Sequence, residues 1–122
     1  MAKARSRSIS EAEKKRRCRK LNDRLRTTFK GGEVELSEGV KAFLEVDQEA
    51  LFKEIRAFSG FNQSNDPFGD HHYCCVECEG YKYAVKIEAF DRRRKYGSVE
   101  PWNPKKTLRV MTIQKYDEYA GI

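Results

Sequence analysis

The sequence lacks the features that define several common protein classes. None of its apolar runs approaches the ~20 residues that a membrane-spanning helix needs. Its first ten residues are basic and lead into a charged stretch, where a secretion signal would have an apolar segment. It has no glycine-rich phosphate loop and no serine within a Gly-x-Ser-x-Gly turn. We therefore expect a soluble cytoplasmic protein that makes no membrane contact and is neither a phosphate-loop enzyme nor a serine hydrolase.

Cysteine is scarce and unevenly placed. Of the four cysteines, Cys18 stands alone in a basic stretch, while Cys74, Cys75 and Cys78 lie within five positions. A disulfide framework would spread its cysteines along the chain. We expect reduced thiols, which agrees with a cytoplasmic location.

The charge is divided unevenly along the chain. Residues 1–30 hold 12 lysines and arginines against three acidic residues, a net charge of +9, whereas residues 31–122 hold 13 against 16, a net charge of −3. We predict a basic arm at residues 1–16 and a single compact domain at residues 17–122. Such an arm can contact nucleic-acid phosphates, or it can be a solvated helix whose charge only confers solubility. The candidate binding residues in and beside it are Lys14, Lys15, Arg16, Arg17, Arg19 and Lys20.

Residues 8–29 have the pattern of a helix. Ser8 or Ser10 can cap its N-terminus, and the two glycines at positions 31 and 32 follow its C-terminus. Apolar residues recur at spacings of three and four late in this segment: Cys18, Leu21, Leu25 and Phe29. We expect only this second half of the helix to pack on a core.

The remaining segments predict short strands and helices. "EVELS" alternates as a half-buried strand, and "SEGVKAFLEV" predicts a helical turn that leads into a second helix capped by Asp47. "HHYCCVECEGYKYAVKIEAF" predicts a hairpin that turns at Glu79 and Gly80. "TLRVMTI" predicts the last strand, and a short helix follows it. We predict an α+β fold, with helices packed on one face of a three- to four-stranded antiparallel sheet.

The segment "HHYCCVEC" raises the question of a zinc site. Side chains alternate between the two faces of a strand, so Cys75 and Cys78 should point to opposite faces. A zinc-binding Cys-x-x-Cys pair instead lies on a turn that brings both sulfurs to one ion. We therefore expect no metal at these cysteines and treat them as small apolar strand residues.

The segment "NDPFGDH" at residues 65–71 has two interpretations. Asn-Asp-Pro-x-Gly is typical of a turn, in which Asp66 binds nearby backbone amides. Alternatively, Asp66, Asp70 and His71 supply two carboxylates and an imidazole that could hold Mg²⁺ or Mn²⁺ as catalytic residues, with Glu88 or Lys86 from a neighbouring strand. We expect a structural turn or a binding epitope, with no cofactor, and keep a metal-dependent nuclease as an alternative.

The loop "DRRRKYGSVEPWNPKK" at residues 91–106 is the second candidate surface. Basic residues lie beside aromatic ones, a combination that can grip phosphates and stack on bases or anchor a protein interface. The residues are Arg92, Arg93, Arg94, Lys95, Tyr96 and Trp102. The alternative is that the two aromatic rings fold inward to hold the loop while the arginines face water.

Several spaced motifs resemble a family of small bacterial proteins that is classed as a domain of unknown function. The motifs are "LNDRLRTTFKGGEVELSEGV", "NDPFGDH", "KIEAFD", "YGS", "RVMTI" and "EY", in this order over about residues 17–119. Members are often carried on plasmids, prophages and phages. The resemblance implies a compact α+β fold, ancestry in mobile genetic elements and no assigned activity. The family pattern includes Asn65, Asp66, Pro67, Gly69, Asp70, His71 and Tyr73, but not the three clustered cysteines or the longer basic arm.

Three functions follow from these observations. The first is a non-enzymatic inhibitor or adaptor that binds a host protein or nucleoprotein complex, as mobile elements use to block host defences, including CRISPR effector complexes. The second is a direct DNA- or RNA-binding protein that uses the basic arm and the Arg/Trp loop. The third is a metal-dependent nuclease centred on Asp66, Asp70 and His71. We expect the first, and the oligomeric state stays open.

Overall fold

The computed structural model describes residues 8–121. Its elements in chain order are α1 (Glu11–Thr28), β1 (Glu33–Leu36), α2 (Glu38–Lys41), α3 (Glu45–Ala57), β2 (Tyr73–Cys78), β3 (Tyr81–Phe90), β4 (Leu108–Lys115) and α4 (Tyr116–Ala120). Lys3, Arg5 and Arg7 of the predicted arm lie outside the described residues, and the division of the chain at residue 16 stays a prediction. No helix among the described residues is long and apolar enough to cross a membrane.

The ends of α1 follow from local chemistry. Ser10 caps the helix, and its side chain accepts a hydrogen bond of 3.1 Å from the Glu13 amide, as predicted. At the other end Phe29 adopts a left-handed conformation with φ 61°, and its amide donates to the Leu25 carbonyl. The predicted cap of α3 is wrong: Leu44 is the N-cap, and Asp47 lies within the first turn.

The four strands form one sheet in the order β1-β4-β3-β2. β3 runs antiparallel to both of its neighbours, and β2 and β3 form the predicted hairpin, in which Glu79 and Gly80 have φ values of 52° and 86°. These positive values are typical of a tight hairpin turn. β1 pairs parallel to β4, so the sheet is mixed. The α+β fold is confirmed. The pairing of β1 with β4 is parallel because α2, α3 and the hairpin lie between these two strands in the chain and return it in the same direction.

One face of the sheet carries the hydrophobic core. Val85 and Ile113 pair across β3 and β4, and both are buried. Leu25 of α1 and Leu51 and Ile55 of α3 pack on this face and are almost fully buried. The other face is touched by α4, where the Tyr119 ring stacks on Tyr73 with centroids 5.3 Å apart. The core therefore lies between α1, α3 and a single face of the sheet.

Candidate functional site

The loop between α3 and β2 is held by side chains that bond to its own backbone. Asn62 Oδ1 accepts hydrogen bonds from the amides of Ser64 and Asn65, at 2.8 and 3.0 Å. Asn65 Oδ1 accepts one of 2.9 Å from the Asn62 amide. Asp66 is buried, and its Oδ1 accepts a hydrogen bond of 3.3 Å from the His71 amide. These are the bonds of a turn, and they fix the positions of the side chains that follow.

His71 joins this loop to α1. Its backbone has a φ of 61°, so the alternation expected from the strand does not extend to it. The ring stacks on Phe61 with centroids 3.8 Å apart, and Nδ1 lies 2.8 Å from Asp23 Oδ1 of α1. Nε2 lies 3.6 Å from Asp66 Oδ2. His71 therefore acts as a bridge between the loop and the helix.

The structure groups a different histidine with the two aspartates. Ligand atoms of Asp66, Asp70 and His72 all lie within 4.8 Å of one another. His72 Nδ1 is 2.5 Å from Asp70 Oδ1. Lys86 and Glu88 project from the face of β3 opposite to Ile87, whereas Ile87 lines the cavity beside Asp70. Of the residues considered as metal ligands, the structure therefore brings Asp66 and Asp70 together with His72, while His71 bonds to Asp23 and Lys86 and Glu88 lie on the other face of β3.

A groove lies between α1, the 91–106 loop and the loop of residues 58–72 between α3 and β2, which we call the Asp70 loop; we call the groove the α1 groove. Its cavity has a volume of about 570 Å³. Lys14 Nζ sits over the Trp102 ring, 4.5 Å from its centroid, and Lys15 Nζ sits over the Phe68 ring at 4.9 Å. Trp102 is partly buried and Tyr96 is exposed, so the two aromatic residues of this loop have different environments. Trp102 thus lines the groove together with two lysines that sequence reasoning assigned to the arm.

The floor of the α1 groove contains Arg109 of β4. This arginine is only 4% exposed, and its Nε donates a hydrogen bond of 2.8 Å to Asn22 Oδ1. Asn22 Nδ2 in turn donates to the Asp70 carbonyl at 2.9 Å. Burial lowers the pKa of the Arg109 guanidinium. Burial also raises the pKa of the neighbouring Cys18 thiol, and this effect is larger than the opposing effect of the Arg109 cation. The floor is therefore a buried polar cluster under a partly apolar cavity.

Sequence reasoning missed Arg109 and Asn22, although signals for both were present. Asn22 interrupts the apolar stripe of α1 one position after Leu21, on the side that packs against the body. Arg109 occupies an inward position of "TLRVMTI", two residues before Met111. A polar residue at a core-facing position is a candidate for a buried hydrogen bond or a site.

All three predicted arginines on α1 bond within the molecule. Arg16 and Arg17 both bond to the Glu13 carboxylate, with shortest distances of 2.8 and 2.9 Å, and hold the pKa of Glu13 at about 2. Arg19 Nε donates to the Gly69 carbonyl at 2.7 Å. Lys20 is exposed. Fewer of the cations of this helix are therefore without a partner in the molecule than their number indicates.

The arginines of the 91–106 loop are also partly engaged. Arg94 forms two hydrogen bonds to the Glu35 carboxylate of β1, at 2.5 and 2.9 Å. Arg92 Nη1 donates to the Thr107 carbonyl at 3.2 Å, and Lys95 lies 5.8 Å from the centroid of the Tyr96 ring. Arg93 is exposed. Arg94 serves to tie the loop to the parallel edge strand.

A second cavity lies at the opposite end of β3 and β4. It has a volume of about 580 Å³ and is formed by α3, the tip of the hairpin and α4. Tyr81 and Tyr116 line it, and the exposed Leu44 and Val46 are chain neighbours of the lining residues Phe43 and Asp47; we call these four exposed residues the hairpin-end surface. Tyr81 is the more exposed of its two tyrosines, at 71%. Sequence reasoning missed this surface because its members come from three separate segments of the chain.

The three clustered cysteines are arranged as the strand pattern predicts. Cys74 is buried in the core and Cys78 packs against the same core, whereas Cys75 alternates to the other face. All four cysteines are free, and burial raises the pKa of Cys74 to about 12, which keeps its thiol protonated and unreactive at neutral pH.

Replacing Cys75 and Cys78 together with serine is expected to leave the zinc content of the purified protein near zero, as in the wild type. The reason is that the two sulfurs lie on opposite faces of β2 and cannot share one ion. Mass spectrometry of the metal content, on protein purified under reducing conditions, checks this. Stoichiometric zinc in the wild type that disappears in the double variant would contradict the placement of these side chains.

Comparison with known proteins gives one match. A family model described as "Protein of unknown function (DUF3768)" matches residues 36–118, from the end of β1 into α4. No curated protein and no solved structure matches the chain. The matched segment contains the Asp70 loop, the hairpin, the 91–106 loop and Arg109, while α1 precedes it.

Proposed function

The chain belongs to the DUF3768 family of proteins of unknown function, and we propose that it is a non-enzymatic binding protein that docks on a host protein or nucleoprotein complex and inhibits it. The resemblance of its motifs to proteins carried on plasmids, prophages and phages supports an accessory role against host defences. The free cysteines support action in the cytoplasm of a bacterial host.

The hairpin-end surface carries this proposal. Large exposed tyrosines and aliphatic residues surround a cavity there, and aromatic residues are enriched at the centres of protein interfaces. A tyrosine presents an apolar ring and a hydroxyl on a side chain with few rotatable bonds, so it is ordered on binding at low entropic cost. Asp47, Glu79 and Asp117 lie around the cavity with Lys82 and Lys115. This mixture of acidic and basic groups around an apolar centre fits a protein partner better than a nucleic-acid backbone.

The contacts in the Asp70 loop support a binding function over hydrolysis. Asp66 accepts a backbone hydrogen bond, and His71 is stacked on Phe61 and bonded to Asp23. Two of the three residues proposed for a nuclease therefore hold the loop in its conformation. Lys86 and Glu88, which a metal-dependent centre would also use, project from the other face of the sheet.

We expect Tyr81→Ala to weaken capture of the partner at least about tenfold without lowering the melting temperature. Tyr81 is mostly exposed, so its removal costs little folding energy, while truncation of a central aromatic residue removes a large share of binding energy. The tagged protein is expressed in its bacterial host and purified with and without nuclease treatment, and the captured partner is quantified. Val99→Ala is the matched control, because Val99 is 86% exposed on the 91–106 loop, away from this surface.

The outcomes separate the three functions. A protein partner that resists nuclease treatment and is lost in Tyr81→Ala but kept in Val99→Ala supports the proposal. Capture that disappears on nuclease treatment alone indicates direct nucleic-acid binding. Equal capture by both variants would show that the hairpin-end surface is not the docking site.

A metal-dependent nuclease is the second candidate, and one observation favours it. The clustered ligand atoms of Asp66, Asp70 and His72 form a set of oxygen and nitrogen donors of the kind that binds divalent cations. Cleavage of DNA or RNA that requires Mg²⁺ or Mn²⁺, survives repurification and is abolished by Asp70→Asn would establish this function. Asp70→Asn retains the size of the side chain while it removes the charge that a cation needs.

A further inference from the structure

The α1 groove contains a buried cation that lacks a bonded anion within residues 8–121. Arg109 is 4% exposed, and the one oxygen acceptor of its guanidinium among these residues is the neutral Asn22 Oδ1. The Cys18 thiol beside it is a weak acceptor. Arg109 forms no ion pair within residues 8–121, and Asp70 acts on it only electrostatically. An arginine has five N–H donors, so most of those on Arg109 remain available to a ligand at the floor.

This arrangement points to an anionic ligand. A buried charge without a partner is unfavourable unless something compensates it. A guanidinium fork matches a phosphate or a carboxylate, to which it can donate two parallel hydrogen bonds. Since Arg109 lines the cavity, the anion can reach it from the groove.

The walls of the groove narrow the choice of anion. Trp102 and Phe68 line the cavity, and an aromatic ring is a surface on which a planar base stacks. Lys14 and Lys15 lie over these two rings, which places two more cations near the opening. A cavity of about 570 Å³ falls within the usual range for small-molecule sites and exceeds the needs of a lone carboxylate.

The two carboxylates of the groove are already bonded to basic groups. Glu11 Oε2 lies 3.1 Å from Lys14 Nζ, and Asp70 Oδ1 lies 2.5 Å from His72 Nδ1. These pairs leave Arg109 and Lys15 as the cations available to a ligand. The groove is therefore suited to a group with negative charge at one end and a flat ring beside it.

We infer that the α1 groove binds a nucleotide unit, with its phosphate on Arg109 and its base against Trp102 and Phe68. The unit is either a free nucleoside monophosphate or the 5′-phosphorylated end of a single strand, which share this chemistry. The inference does not depend on the proposed protein docking. The groove and the hairpin-end surface lie at opposite ends of β3 and β4, so one molecule can contact the protein and the nucleic-acid part of a complex together.

The single tryptophan makes the test direct, because Trp102 is the only one in the chain and lies in the groove. Its fluorescence is followed during titration with a 5′-phosphorylated oligothymidylate, the same strand with a 5′-hydroxyl, and thymidine monophosphate. We expect the 5′-phosphorylated strand to bind at least about tenfold more tightly than the 5′-hydroxyl strand, since one charge-assisted contact is worth about that factor. Equally tight binding of the monophosphate would identify a free nucleotide as the ligand; weaker binding would identify the strand end.

Variants at the rim avoid the risk that a change at buried Arg109 impairs folding. Phe68 is exposed, so Phe68→Ala should fold normally and lower the affinity several-fold through lost stacking. Lys15→Gln should also weaken binding, whereas Lys20→Gln, its matched control on the same helix, should not. Arg109→Lys keeps the charge but removes the fork and should abolish the preference for the 5′-phosphate.

The inference is overturned if the two strands bind equally or if none of the probes binds. It is also overturned if Phe68→Ala and Lys15→Gln both bind as tightly as the wild type and the Lys20→Gln control. Loss of strand binding in Phe68→Ala with normal capture of a protein partner would separate this site from the proposed docking surface.

Discussion

Gly32→Ala is expected to lower the free energy of unfolding by about 3 kcal/mol, at the upper end of the range for overpacking a filled site. A Cβ at position 32 would press into the backbone carbonyl of Arg109 and lie 3.0 Å from Leu25 Cδ2. Neither neighbour can move easily, because Arg109 belongs to β4, which pairs on both sides, and Leu25 is fully buried in α1. Urea unfolding followed by circular dichroism measures the change.

Gly97→Ala is the matched control for this change. A Cβ at position 97 would come no nearer than 4.0 Å to another atom, at the Ala89 carbonyl. We expect its effect to stay within about 0.5 kcal/mol. Equal destabilisation by the two variants would show that β1 does not approach β4 as closely as described.

Ile55→Ala is expected to lower the free energy of unfolding by about 3 kcal/mol, because it removes buried methyl groups and leaves a cavity that the surroundings fill only in part. Ile55 is fully buried on α3, in the core cluster that includes Leu51 and Val85. The midpoint of urea unfolding should fall while its slope stays the same.

Val46→Ala tests the same helix at an exposed position. Val46 is 70% exposed, so its truncation should change the stability by less than about 0.5 kcal/mol. Since Val46 lies on the hairpin-end surface, the same variant should weaken partner capture. A large loss of stability in Val46→Ala, or none in Ile55→Ala, would reverse the assignment of the two faces of α3.

The parts of the fold that local patterns determine could be predicted. Ser10 caps α1 because a serine oxygen can reach the amide three residues on, and Glu79-Gly80 turns the hairpin because a glycine tolerates positive φ. The opposite faces of Cys75 and Cys78 follow from the two-residue period of a strand. Each of these features depends on residues that are close together in the chain.

The features that sequence reasoning missed depend on distant residues. The parallel pairing of β1 with β4 joins Glu33 to Val110, and the bond between Asn22 and Arg109 spans 87 positions. No local sequence pattern at either partner predicts which distant residue it will contact. His71 and His72 show a third limit: a left-handed residue at position 71 ends the strand period, so the choice between two adjacent histidines could not be made by alternation.

The pairing of β1 with β4 also determines when the fold can be completed. Synthesis runs from the N-terminus, so β1 and α1 leave the ribosome long before the strand that pairs with β1 and carries Arg109. The hairpin of β2 and β3 can close early, since its strands are neighbours in the chain. β1 must wait for its partner, and we expect the large sequence separation of this pairing to make it the slow step of folding. We therefore expect nascent chains that stop before residue 108 to lack the native arrangement of α1 and β1, and to expose an unpaired strand edge to chaperones.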